Sequence, residues 1–225
     1  MKANNRKLLE LFILLSLVVL SFFLWNTIVI YPIKLLVVLL HEISHGIAAF
    51  VTGGVIIEIE INEFLGGHCI SQGGNEFVVA SSGYLGSLFW GASLFIAAYN
   101  KKWSVWFQTF LGAFMIFITA NYISNIYAAV ISILFAIYFI LAPRILPDIV
   151  NRYASIFLGI TSALYAAVDI GQDIILNTYV GSDAYFLSVL TGVPAIIWGA
   201  LWMMISLFVI YRLFIFAYNK GNIKL

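Results

Sequence analysis

Val38-Leu39-Leu40-His41-Glu42-Ile43-Ser44-His45-Gly46-Ile47-Ala48 is the stretch from which the rest of the chain can be read. It holds the pattern His-Glu-x-x-His and lies in an apolar run, about Pro32 to Val51, long enough to cross a bilayer. A helix places residues four apart on one face, one turn above the other. His41 and His45 therefore present two imidazoles to a common point and can hold one zinc ion, while Glu42 beside them can take a proton from an attacking water. Ionisable side chains at membrane depth are costly unless paired or bound, so three of them in one helix mark a functional site. The bland alternative is a polar cluster that hydrogen-bonds neighbouring helices and binds nothing, which leaves that cost without a ligand to offset it.

Composition sets the surroundings of the stretch. The 225 residues are 63% hydrophobic and 9% charged, with a mean hydropathy of +1.05. A soluble domain is about a quarter charged, so this chain cannot cover a water-facing surface and reads as an integral, multi-pass membrane protein. A net charge of +1 says nothing about a partner, and the sequence holds no basic patch for nucleic acid, so none is expected. The single Cys69 excludes an internal disulfide framework. Lys2, Arg6 and Lys7 precede an apolar run too long for a signal peptide and without a small-x-small cleavage site, so it reads as a retained first span.

Working outward from the motif helix, the pattern predicts an all-α polytopic membrane protein. About six to seven transmembrane helices are expected, with a small β-hairpin after the motif helix, all in one domain over 1–225. The first span covers about Leu8 to Ile30, and Pro32 opens the second, which Gly53-Gly54 end. From Val55 to Phe77 the period changes. Ile57, Ile59 and Ile61 alternate with Glu58, Glu60 and Asn62, as in a strand with one wet face. Gly66-Gly67 make a turn, His68 to Gln72 form a returning strand, and Gly73-Gly74 turn again. Ile57, Ile59 and Ile61 are candidate substrate contacts, because an edge strand can hold a peptide extended by β-augmentation. His68 has no partner at ligand spacing and reads as a solvated loop histidine.

Further spans are expected over about Val78 to Tyr99, Trp103 to Asn121, Tyr122 to Leu141, Tyr153 to Leu176, and Pro194 to Tyr218. Pro143 and Pro147 bracket a turn, and a short helical piece lies between Asn177 and Gly192. Seven crossings would put Lys34, Lys101, Lys102, Arg144, Arg152, Arg212, Lys220 and Lys224 on one side and Lys2, Arg6 and Lys7 on the other. In the third span, Ser81-Ser82-Gly83-Tyr84-Leu85-Gly86-Ser87 supplies small residues that let this helix approach the motif helix.

Catalytic zinc takes three protein ligands and leaves one position open. Asp169 and Asp173 lie one helical turn apart in the sixth span, where an intramembrane carboxylate needs a partner. Depth in the apolar run favours Asp169 as the third ligand, then Asp173. Asp183, in Gly181-Ser182-Asp183-Ala184, comes last because it can equally serve as a helix N-cap.

These residues resemble the site-2 protease family of intramembrane zinc metalloproteases, in its compact, divergent bacterial-type branch. The resemblance rests on His41-Glu42-Ile43-Ser44-His45-Gly46 within a span, then Gly53-Gly54 and a β-rich segment, then Gly83-Tyr84-Leu85-Gly86. It continues through Asp169 to Asp173, Ser182-Asp183-Ala184, Thr191-Gly192-Val193-Pro194 and Trp198-Gly199. It implies Zn2+ held by His41 and His45, Glu42 as the catalytic base, and hydrolysis of peptide bonds in membrane-protein substrates at a cell membrane. Where the family carries Leu-Asp-Gly for its third ligand, this chain has Val168-Asp169-Ile170-Gly171, a departure at that position. Two other functions compete. A non-catalytic metal-binding scaffold has no need of Glu42. An ion or metal transporter would use the His, Glu and Asp residues as a relay, but no inverted repeat is visible. The expected partners are a membrane-protein substrate and the lipid bilayer; the oligomeric state is not encoded in any motif.

Overall fold

A computed structural model describes residues 3–176 and 181–220; the side chains at 3, 4, 166, 169 and 171–176 fall outside that description. The elements are α1 (Ala3–Leu24), α2 (Tyr31–Val51), β1 (Val55–Ile61), β2 (Gly67–Gln72), α3 (Glu76–Ala97), α4 (Lys101–Tyr122), α5 (Ile126–Ile145), α6 (Asp148–Leu176), α7 (Asp183–Thr191) and α8 (Ala195–Lys220). Six of them, α1 to α5 and α8, are long and apolar enough to cross a membrane. The chain is therefore an all-α, multi-pass integral membrane protein with one small β-hairpin. The longest helix, α6, turns Asn151, Ser155, Thr161 and Ser162 into the interior.

Short polar residues set the helix starts. Asn75, Asn100, Asn125 and Ser182 each accept a hydrogen bond from the backbone N–H three residues on, which opens α3, α4, α5 and α7. Pro32 sits in the first turn of α2. Two boundaries differ from expectation. The first helix stops at Leu24, six residues before the expected end at Ile30, and Trp25 and Thr27 turn back on Phe22 and Leu24. The run that follows, Thr27-Ile28-Val29-Ile30, is β-branched and forms helix poorly. The fifth helix runs through Pro143 to Ile145 instead of stopping before it. A proline so close to the end interrupts only the last turn, and Leu146 N–H still reaches the Ala142 carbonyl at 3.0 Å.

The motif helix α2 is the centre of the bundle. Leu35, Leu36, Leu39, Leu40 and Ile43 are at most 2% exposed and belong to one cluster with Trp90, Leu94, Leu111, Met115 and Phe139. Against it lies the antiparallel hairpin, with Ile56 packed over Gly46. A bulge between Ile56 and Glu58 breaks the expected alternation. Ile57 is thrown outward and is 54% exposed, while Ile59 and Ile61 turn into the core at 0% and 1%. The three isoleucines thus do not share a face. The outer edge of β1 is also in use: Ile59 bridges to Ile123, and Asn125 Nδ2 donates to the Ile61 carbonyl at 2.9 Å.

Glycine lets α3 and α6 meet backbone to backbone. A Cβ on Gly91 would stand 2.8 Å from the Gly159 carbonyl oxygen, and one on Gly159 would stand 2.5 Å from that of Gly91. Next to this contact Ser162 Oγ donates to the Ser87 carbonyl at 2.9 Å. At one end of the bundle, four helix termini gather around the buried Glu10 of α1. Its carboxylate accepts from Arg152 at 2.6 Å, Tyr99 at 2.7 Å and Tyr153 at 3.1 Å. Lys7 lies over Tyr218 of α8, and Lys101 pairs with Asp148 at 2.9 Å. Lys7 therefore sits at the same end as Lys101, Arg152 and Lys220, not opposite them as seven alternating crossings require.

Because the atoms opposing a Cβ at position 159 are backbone, they cannot swing aside. Gly159→Ala is expected to destabilise the bundle by about 1–3 kcal/mol, read as a lowered thermal midpoint of the purified protein in detergent.

Candidate metal centre

His41 and His45 project from α2 toward α3 and α7, with ring centroids 4.8 Å apart. Their partner is Asp183, the first residue of α7. His41 Nε2 stands 3.2 Å from Asp183 Oδ2, and His45 Nε2 stands 3.2 Å from Asp183 Oδ1. One ligand atom from each of the three residues falls within 4.8 Å of the others. Among the described residues this is the one group of three or more His, Cys, Asp or Glu side chains so arranged. Glu42, next to His41, is 7% exposed in the same wall.

The surrounding chemistry tests whether a cation fits here. His45 Nδ1 lies 2.7 Å from the Val79 carbonyl oxygen, which can only accept. The ring must therefore donate from Nδ1, and in its neutral form it turns a bare lone pair at Nε2 toward a carboxylate oxygen. Two acceptors 3.2 Å apart need a positive charge between or beside them. Asp183 Oδ2 is also buried without a hydrogen-bond partner among the described residues, although His41 Nε2 is near. Burial alone would raise the Asp183 carboxyl; when His45 and His41 carry a proton, their charges and contacts more than offset this and hold it well below the usual carboxylate range. The group is an ionised carboxylate facing two imidazoles, the donor set of a three-ligand metal site.

Local sequence explains how the three residues meet. In α3 the Gly83-Tyr84-Leu85-Gly86 run leaves room for them. A Cβ on Gly83 would stand 2.3 Å from His41 Nε2 and 2.5 Å from Asp183 Oδ2, and one on Gly86 would stand 2.1 Å from Ser44 Oγ. Ser44 donates to the Leu40 carbonyl at 2.6 Å and accepts from Trp90 Nε1 at 3.2 Å, so no polar atom of that contact is stranded. Tyr84 presses edge-on to the His41 ring, centroid to centroid 5.0 Å, with Trp202 behind it. On α7 it is Ser182, not Asp183, that caps the helix, accepting from Tyr185 N–H at 3.3 Å. That division leaves the Asp183 carboxylate to the histidines. Leu187 and Ala184, buried against Tyr84 and Trp202, dock α7 in place.

The side chains of Asp169 and Asp173 lie outside the described residues. Asp183 enters the cluster despite its low standing on depth in the apolar run, because proximity in space came from a short helix folding back over α2. The available signal was Ser182 preceding it: a competent N-cap already occupied that position. His68 is half exposed, 3.9 Å from Glu58 and 3.7 Å from Glu60, and lines the cleft without joining the three-residue cluster. Cys69 faces α2; burial and then the charge of Glu42 push its thiol up to about 12, so it is no thiolate ligand near neutral pH.

A cleft of about 770 Å³ opens onto the cluster. Val38, Tyr84, Phe186 and Leu190 give it apolar walls, and Gly67 to Ser71 of β2 form one side. Gly67 sits directly on Glu42: a Cβ there would be 2.7 Å from Glu42 Oε1. The outward edge of β2 has no ladder partner among the described residues.

The sequence profile described as Peptidase M50B-like matches residues 14–213. No curated protein and no solved structure matches the chain. The profile covers most of the chain, and the chain belongs to the Peptidase M50B-like family, a site-2 protease family of integral membrane proteins.

Gly83→Ala is expected to push a methyl group between His41 and Asp183 and to weaken metal binding about 10- to 100-fold, in the range of disturbed ligand orientation. Titration of the metal-stripped protein with zinc checks this. Ser81→Ala, whose hydroxyl is bonded among the described residues only to the Phe77 carbonyl, is the unaffected control.

Proposed function

We propose that this Peptidase M50B-like chain is an intramembrane zinc endopeptidase that hydrolyses peptide bonds in membrane-protein substrates. The observation that carries the reading is the meeting of His41, His45 and the orphaned Asp183 carboxylate beside Glu42, on the floor of a cleft with one unpaired strand edge. His41, His45 and Asp183 are the three ligands. Bound zinc would supply Lewis acidity toward the scissile carbonyl and the attacking water.

The chain's own residues supply the rest. Glu42 receives the proton released as water adds to the carbonyl and returns it to the departing amine. Gly67 closes one flank of Glu42, which faces the cleft with 7% of its surface exposed. His45 is oriented from behind by the Val79 carbonyl, which also accepts from Ser82 Oγ at 2.6 Å. The substrate backbone must be extended to expose its carbonyl. The β2 edge, from Gly67 to Gln72, is the one that can pair with it, since Ile123 and Asn125 occupy the edge of β1. Of the three isoleucines with candidate substrate contacts, only Ile57 remains exposed for that role.

The test is zinc content and cleavage of a single-span fluorogenic reporter, measured together. Glu42→Gln is expected to keep zinc near one per chain and to lose about 10²- to 10⁴-fold in cleavage rate. His45→Ala and Asp183→Asn are expected to lose both, whereas Asp169→Asn and Asp173→Asn keep zinc. Cleavage by Glu42→Gln at the wild-type rate would overturn the endopeptidase reading. Zinc retained by Asp183→Asn and lost in Asp169→Asn would move the third ligand to α6.

A further inference from the structure

The basic end of the bundle holds a second feature that the metal centre does not use. Ala97 follows Gly83 along α3 at about 21 Å, from the helical rise per residue, so this end is remote from the cleft. Around it, α3, α4 and α8 leave a groove of about 670 Å³. Its walls are apolar, from Ile96, Ala97, Phe107 and Phe216, and its mouth carries Lys101, Lys220 and Trp103.

The charges at this end do not balance. Its described acidic residues are Glu10 and Asp148, and each already has a partner: Glu10 holds Arg152 and Asp148 holds Lys101. Lys220 stands over the Phe216 ring at 5.9 Å with no carboxylate in ion-pair range among the described residues. Lys102 and Arg144 add exposed positive charge at the same end. Trp103 is 68% exposed beside the lysines, the position of an interfacial indole.

A soluble anion would be drawn to the lysines but has no use for the apolar walls. A neutral lipid would fill the walls and leave Lys220 without a counter-charge. We propose that the α3–α4–α8 groove is a binding site for one anionic phospholipid, its acyl chain against Ala97, Phe107 and Phe216 and its headgroup phosphate at Lys220, with Trp103 at the interface beside it. The recognition is that of basic pockets between membrane helices, where each cation near the surface strengthens the hold on an acidic headgroup.

The experiment uses the full-length protein, delipidated in detergent and then exposed to phosphatidylglycerol or phosphatidylcholine, with retained lipid counted by native mass spectrometry. Wild type is expected to keep one phosphatidylglycerol in preference to phosphatidylcholine. Lys220→Gln, an exposed change that disturbs no packing, is expected to weaken retention about fivefold, the effect of one surface cation. Ala97→Trp fills the groove without altering charge and is expected to abolish retention while the elution profile stays that of the wild type. Equal retention of the two lipids by wild type, which is ordinary annular lipid, would overturn the site. So would phosphatidylglycerol retained at the wild-type level by both variants.

Discussion

Every part of this fold answers to one constraint: a helix that carries two imidazoles and a carboxyl group is held in the most apolar part of the molecule. Such groups are tolerated there only when other polar atoms meet them. The fold therefore brings three separate segments to one turn of α2. The first turns of α3 offer the Val79 carbonyl to His45, α7 offers Asp183 to both rings, and β2 closes over Glu42. The hydrophobic side of α2 serves the same end, since Leu36, Leu39 and Ile43 anchor it so firmly that the histidine face has one position to occupy.

Backbone proximity is the means by which this is done. Where side chains would hold helices apart, Gly83 and Gly86 bring α3 against the site, and Gly91 with Gly159 brings α6 against α3. Close approach lets main-chain carbonyls, ordinarily shielded inside a helix, act as partners: Val79 for His45, and Ser87 for Ser162. In a lipid environment, where helices gain little from hydrophobic association with one another, such contacts and tight packing carry much of the specificity.

Much of this is legible from residue order, because the relevant signals are local. The spacing of His41 and His45, the apolar runs and the period-two stretch after Gly54 all act within a few residues of themselves. What could not be read depends on distance. The bulge at Ile57 is a response of β1 to packing on α2 and Ile123, and it divides isoleucines that alternation alone places together. Asp183 joins the histidines through the docking of Leu187 and Ala184 on Tyr84 and Trp202, contacts between segments far apart in the chain. Depth within an apolar run ranks carboxylates by the cost of leaving them alone. It carries no information on which one folds back onto the motif helix. The gathering of Lys7 with Lys220 and Lys101 has the same character, since it follows from how helix ends pack around Glu10.

The position of Asp183 has a consequence for the order in which the molecule comes into being. A chain is made from its N-terminus, so α2 is synthesised and inserted long before α7. Until residue 183 of the 225 has emerged, His41 and His45 lack the carboxylate they face in the finished fold. The order of the sequence thus sets an order of assembly: the two imidazoles meet the carboxylate only after α1 to α6 and the hairpin have been made.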